Sequence, residues 1–202
     1  GDVELVPGHH VFPFTFPLPV NLPDTYEHTL GYVAHSIEAV IDRPWKFDHE
    51  TKYDLRVETP YDISEYHYQR IEDEVNENFC CCLLPWIKQG NIQATICMDT
   101  NAYAIGDSLE VFITIDSQSG SVVVTDMKLK LIQKLEFHAH SPHSKTRTDE
   151  NTVQRVSLGE NFVAGTEYTI GMQVPSVLPT GFRNCGIMDN RYQLEVTLVV
   201  SG

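Results

Sequence analysis

"MKLKLIQKLEF", residues 127–137, places Met127, Leu129, Leu131, Gln133, Leu135 and Phe137 on every second position. Lys128, Lys130, Lys134 and Glu136 fall between them. A period of two is that of a strand with one buried face; a helix would space its apolar groups three or four apart. The same alternation runs through Val33, His35, Ile37, Ala39 and Ile41, and through Tyr53, Leu55 and Val57. It returns in Ile92–Met98, Leu109–Ile115, Tyr168–Val174 and Tyr192–Val200. Turn-forming clusters such as "NAYAIGD" (101–107) and "DSQSGS" (116–121) separate these runs. Only Ser64–Asn78, with Tyr68, Ile71 and Val75 at helical spacing among acids, departs from the pattern, and it reads as a linker. Strands at this density with so little helix signal predict an all-β protein built from sandwiches.

The chain of 202 residues is long enough for one large or two modest domains. Its net charge of −14 argues against nucleic-acid binding through bulk electrostatics. No apolar run is long enough to cross a membrane as a helix, and no signal segment opens the sequence. Cysteines number five, three of them consecutive at Cys80, Cys81 and Cys82, which is poor material for a disulfide framework. A reducing compartment, the cytosol, is the expectation.

Two distant stretches share one design. "FPFTFPLPVNLP" (12–23) set over "YTIGMQVPSVLP" (168–179) matches Phe12, Phe14, Phe16 and Leu18 with Tyr168, Ile170, Met172 and Val174. Pro19, Leu22 and Pro23 then meet Pro175, Leu178 and Pro179. After one inserted residue, His35 meets Tyr192 and Ile37 meets Leu194. The order of patterns predicts two related sandwiches in tandem, of which the chain carries incomplete copies at both ends. Within "HVFPFTFPLP" (10–19), Pro13, Pro17 and Pro19 cannot donate to a ladder, so this segment is expected as a strand leading to a protected rim.

"GHHVFPFTFPLPVNLPDTYE" (8–27) and "GYVAHSIEAVIDRPWKFDHETK" (31–52) resemble the arrestin-domain-containing proteins, the alpha-arrestins. "LIQKLEFHA" (131–139) and "VPSVLP" (174–179) resemble that family's second domain, and "FCCCLLPWI" (79–87) its interdomain segment. The resemblance implies tandem immunoglobulin-like, arrestin-type β-sandwiches. Residues 1–63 would be the later part of a first sandwich, 64–90 an acidic, cysteine-containing linker, and 91–202 a second sandwich lacking its last strand. It also implies a non-catalytic adaptor that links cytoplasmic tails of membrane proteins to ubiquitin ligases and endocytic machinery, at the plasma membrane and endosomes. Ligase recruitment in the family uses P-P-x-Y motifs in a C-terminal tail. None occurs here, and "TPYD" (59–62) is not one. A retromer-type sorting subunit is the rival within the same clan. A metal-dependent enzyme using the His and Cys clusters is the rival of a different class.

Candidate sites are few. Lys128, Lys130 and Lys134 occupy the face opposite the leucines, with Lys145 and Arg147 following, and form a candidate stripe for acidic cargo tails or anionic headgroups. Cys80, Cys81 and Cys82 are candidates for lipidation, a peripheral membrane contact. Their consecutive spacing does not suit zinc, even with His138, His140 and His143 nearby in "HAHSPH". His35, on an apolar face, is expected as a hydrogen-bonded core histidine. Cys97 and Cys185 have no neighbouring histidine, so no nucleophile–base pair can be built from them. No catalytic group, cofactor or metal site is assigned.

Overall fold

The alternating runs become strands whose inward side chains meet between two sheets. The computed structural model describes residues 6–43, 45–66, 68–80, 88–159 and 161–201. Its strands are β1 (Tyr26–His28), β2 (Gly31–Val33), β3 (His35–Ile41), β4 (His49–Leu55), β5 (Ile71–Cys80) and β6 (Lys88–Met98). They continue as β7 (Ser108–Gln118), β8 (Val123–Ala139), β9 (Lys145–Leu158), β10 (Thr166–Gln173) and β11 (Met188–Ser201). Among the described residues there is no α-helix, only a 3-10 turn at Ile63–Glu65 capped by the Asp62 carboxylate on the Ser64 amide.

A four-stranded sheet ordered β10-β7-β6-β5 packs on a three-stranded sheet ordered β11-β8-β9, with every ladder antiparallel. Val111, Ile113 and Ile115 of β7 and Met127 and Leu129 of β8 have no exposed surface and form the centre of the core. Each such side chain contributes about 1.5–3 kcal/mol by leaving water. The expected alternation of residues 127–137 is obeyed: its apolar members are buried, and Gln133 is the polar exception.

The expected linker, 64–90, is different in part. Its residues 71–80 form β5, hydrogen-bonded along β6 from Ile71↔Met98 to Cys80↔Lys88. Ile71, Val75 and Phe79 stand four apart, which imitates a helix. In the strand they share a face with Asp73 and Glu77, which take the intervening positions. β5 is the edge of its sheet, and Asp73 and Glu77, inward-pointing by register yet exposed, discourage a further strand from adding. β9 escaped the reading for a related reason. Its first eight residues are polar, and a register shift opposite Leu131/Ile132 interrupts its alternation.

The first half holds two small sheets, β1–β2 and β3–β4. Thr25 ties them, its amide donating to the Val57 carbonyl and its hydroxyl accepting from the Val57 amide, both at 2.9 Å. The strand expected at residues 10–19 is absent. That segment has no regular structure, and Phe12, Phe14 and Phe16 are 68%, 73% and 68% exposed. Three prolines remove ladder donors, and no described strand lies alongside to accept the remaining ones.

The halves meet at a second, smaller core. Leu135, Phe137 and Met188, at one end of the β11-β8-β9 sheet, pack with Tyr26 and Val33 of the β1–β2 hairpin and with Phe182 and Cys185. Gly31 allows the hairpin to sit this close, since a Cβ there would lie 3.2 Å from the Phe137 ring.

Candidate functional site

The five cations of the expected stripe separate onto two faces of one sheet. Lys128, Lys130 and Lys134 lie on the solvent side of β8, and each has a carboxylate. Lys128 Nζ is 3.6 Å from Asp126 Oδ2, Lys130 Nζ 2.5 Å from Glu195 Oε1, and Lys134 Nζ 3.1 Å from Glu150 Oε1. The hydrogen bond from Lys130, and then its charge, hold the Glu195 carboxyl below the usual range. Arg155 and Arg191 stand opposite Lys130 and Lys134, and Arg191 is itself paired with Asp189 at 2.7 Å. Along β8 no acid stands between Lys128 and Lys134, but the neighbouring strands bring Glu150 and Glu195 in beside them. This face is a charge-alternating surface and not a positive line.

Lys145 and Arg147 register with Ala139 and Phe137, so they project on the opposite face, which carries the core. They border a cleft of about 550 Å³ with Phe137 and Met188 as floor. Leu30 and Gly31 of the hairpin close one side, and Ile187 and His140 border another. Among the described residues neither Lys145 nor Arg147 makes an ion pair. β9 is also an edge strand of its sheet, with one row of backbone groups unpaired. The chemistry offered is two free cations above an apolar floor, beside a strand edge.

His28 fixes the hairpin above this cleft. Its ring stacks on Phe137 with centroids 4.7 Å apart. The Leu30 amide donates to Nδ1 at 3.2 Å, so Nε2 carries the proton and donates to Asp149 Oδ2 at 3.3 Å. Tyr26 meets Phe182 with centroids 5.0 Å apart. A second link runs alongside. The Tyr61 hydroxyl donates to Asp24 Oδ2 at 2.9 Å, and the Arg183 guanidinium lies 4.9 Å over the Tyr61 ring. Burial, then the bond to Asp24, push the Tyr61 hydroxyl up to about 12. Sequence reading missed His28, Asp149, Tyr61 and Arg183 as a group, because contacts spanning 121 residues leave no local periodicity.

The remaining candidates scatter. Cys80 ends β5 and is exposed, while Cys81 and Cys82 lie outside the described residues. His138 Nδ1 is 3.1 Å from the Thr146 hydroxyl, and His140 Nε2 is 3.4 Å from the Gly186 carbonyl. Among the described residues no three metal-ligating side chains converge. Cys97 and Cys185 are free thiols in half-buried positions. His35 has Nε2 2.9 Å from the Pro23 carbonyl, the expected hydrogen bond, but it is half-buried outside both cores, and Ile37 and Ile41 on its face are exposed, so it is not the core histidine expected.

Residues 1–64 match the model of the arrestin (or S-antigen) N-terminal domain, and residues 88–202 match that of the C-terminal domain. Arrestin domain-containing protein 1 of Rattus norvegicus is 26% identical over 200 residues, covering 96% of this chain and 44% of the relative. Arrestin domain-containing protein 4 of Mus musculus is 25% identical over 206 residues, covering 100% and 48%. Arrestin domain-containing protein 17 of Caenorhabditis elegans is 24% identical over 200 residues, covering 94% and 45%. The chain thus spans less than half the length of these curated relatives. With both arrestin domain models matched in order and the tandem all-β architecture in place, the chain belongs to the arrestin family, in its arrestin-domain-containing branch.

Proposed function

We propose that the chain is the binding part of a non-catalytic adaptor, which seats an acidic segment of a membrane protein's cytoplasmic tail in the cleft beneath Leu30. The observation that carries this reading is the pair Lys145 and Arg147, without an ion pair among the described residues, beside the Phe137–Met188 floor, where Asp149 of the same strand face is engaged by His28. An extended tail can add to the edge of β9 through its backbone and set its acidic side chains against the two cations. Phe137 and Met188 receive an apolar neighbour of those acids. The family is one of adaptors, so coupling of the bound tail to ubiquitin ligases and endocytic machinery, at the cytoplasmic side of plasma membrane and endosomes, is part of the same proposal. The retromer-type and metal-enzyme readings have no observation that favours them.

Anisotropy of a labelled glutamate-rich peptide tests it. Lys145→Glu with Arg147→Glu should weaken binding about tenfold or more, the equivalent of about 1.4 kcal/mol. The triple Lys128→Gln, Lys130→Gln, Lys134→Gln variant should bind as wild type, because those lysines are already paired. Loss of binding in the triple variant alone would overturn the assignment and return the site to the outer face.

A further inference from the structure

The two sheets of the second sandwich do not match in width. β10 lies against β9, so the order β10-β7-β6-β5 sets β7 over β8 and β6 over β11 and leaves β5 with no strand facing it. On the β9–β10 side the mouth of the sandwich is closed by Phe162, which is buried and meets Tyr168 edge-on with centroids 4.9 Å apart. Among the described residues the β5–β11 side has no such plug. Ile71, Asp73, Val75, Glu77 and Phe79 point inward by register with β6, yet Ile71, Asp73 and Glu77 are exposed. β11 borders this slot with Leu194, Val196 and Leu198, which share a face with the buried Leu131, Leu129 and Met127 but are only half-buried themselves. One edge of β11 pairs with β8, and the edge toward the slot is unpaired. It also lacks the protection that β5 has, since its inward side chains from Tyr192 to Leu198 carry no charge.

We propose that β11 takes one further strand, an extended segment of a partner protein whose inward side chains alternate apolar groups with lysine or arginine. The slot is one strand wide. A second copy pairing β11 to β11 would bring its own β6 to the place that β5 already overhangs, and the two cannot share it. Charge then selects the side chains. Neither Asp73 nor Glu77 makes an ion pair among the described residues, and Asp73 accepts only the amide of Glu74, at 2.9 Å. The two acids stand four residues apart, about 13 Å along the strand, with Val75 between them on the same face. An incoming strand matches them with two cations at the same spacing and an apolar residue between. Within the chain, the segment of strand length that lacks a ladder is 10–19, and it contains neither lysine nor arginine, so the strand comes from outside. Backbone pairing along β11 supplies the affinity, and the acids of β5 choose the sequence. β9, the other edge of the same sheet, offers cations, so the two edges receive partners of opposite charge.

The probe is a labelled peptide, V-T-K-T-V-T-K-T-V, whose alternate residues meet Ile71, Asp73, Val75, Glu77 and Phe79 in either strand direction. Its rearrangement V-K-T-T-V-T-T-K-V has the same composition and charge. By fluorescence anisotropy with the full chain, the probe should bind about tenfold or more tightly than the rearrangement. Asp73→Lys with Glu77→Lys should weaken the probe about tenfold or more and bind V-T-E-T-V-T-E-T-V instead. Both positions are exposed, so the fold should be kept. Lys145→Glu with Arg147→Glu should leave probe binding unchanged, which separates this slot from the cleft beside β9. Amides of β11 should exchange more slowly with the probe bound. Absent binding, or equal binding of probe and rearrangement, would overturn the proposal, as would undiminished binding of the probe by the charge-reversed variant. So would protection of β11 that appears without peptide as the molecular mass doubles, which would assign the edge to a second copy of the chain.

Discussion

His35 and Tyr192 make the same hydrogen bond in the two halves of the chain. His35 Nε2 lies 2.9 Å from the carbonyl of Pro23, and the Tyr192 hydroxyl donates at 2.7 Å to the carbonyl of Leu178. These carbonyls belong to "NLP" (21–23) and "VLP" (177–179), which the internal repeat superimposes to within one residue. His35 opens β3 and Tyr192 stands within β11, and each ties its strand back to the preceding proline turn. His35→Tyr should therefore keep the fold and its stability, while His35→Ala should lose about 1 kcal/mol, the worth of one hydrogen bond, by thermal unfolding. A fold-intact His35→Tyr variant that fails to bind the acidic peptide would give this histidine a direct role.

Asn190 is the polar residue at the centre of the corresponding corner in the second half. It has no exposed surface; its amide donates to the Pro179 carbonyl at 2.8 Å and its Oδ1 accepts from Gln133 Nε2 at 3.0 Å. Leucine has the same branching but is bulkier, and it removes both hydrogen bonds, leaving the Pro179 carbonyl without this donor and Gln133 Nε2 with its longer contact to the Tyr192 hydroxyl at 3.4 Å. Asn190→Leu should cost about 2–4 kcal/mol and lower the melting temperature, although it makes the core more apolar.

Lys130→Gln should raise the Glu195 carboxyl toward the usual range, with Thr197 and Arg155 still holding it down in part, which NMR can follow. The depressed value means that this contact stabilises the fold at neutral pH and that its contribution is lost as pH falls through the Glu195 midpoint. The variant should show a correspondingly weaker acid dependence over that range. No change in the Glu195 midpoint would mean that the pair does not persist in solution.

Tyr61 provides the opposite sign. Its proton is held to about 12 in the folded chain, above the ordinary value of 10, so the unfolded state holds fewer protons in that interval. Stability should fall as pH rises from about 10 through 12. Tyr61→Phe should remove that component of the fall and loosen Asp24 from Gly181–Arg183, measured as faster amide exchange at Thr59, whose N–H is held by Asp24 at 2.7 Å.

The alternation of Leu109–Ile115, Met127–Phe137 and Tyr192–Val200 was enough to determine an all-β chain and the inner face of its second sandwich. A two-residue period states locally which side of a strand is dry. The repeat of "NLP" and "VLP" likewise carried the kinship of the halves, because the same corner needs the same turn. Local pattern failed where the local residues serve a distant one. β5 carries exposed acids on its inward side because it is an edge, and β9 is polar at its start because there it is an exposed edge paired only with β8. The fate of the cations was decided only by register. Lys128, Lys130 and Lys134 look like a free stripe along one strand, yet two of their carboxylates arrive from strands β9 and β11. Lys145 and Arg147 sit in the same basic neighbourhood of the sequence, but the β8–β9 turn delivers them to the other face. Antiparallel pairing fixes which side chains are neighbours, and that pairing joins residues far apart in the chain, so tertiary structure alone determined which positive charges remain free.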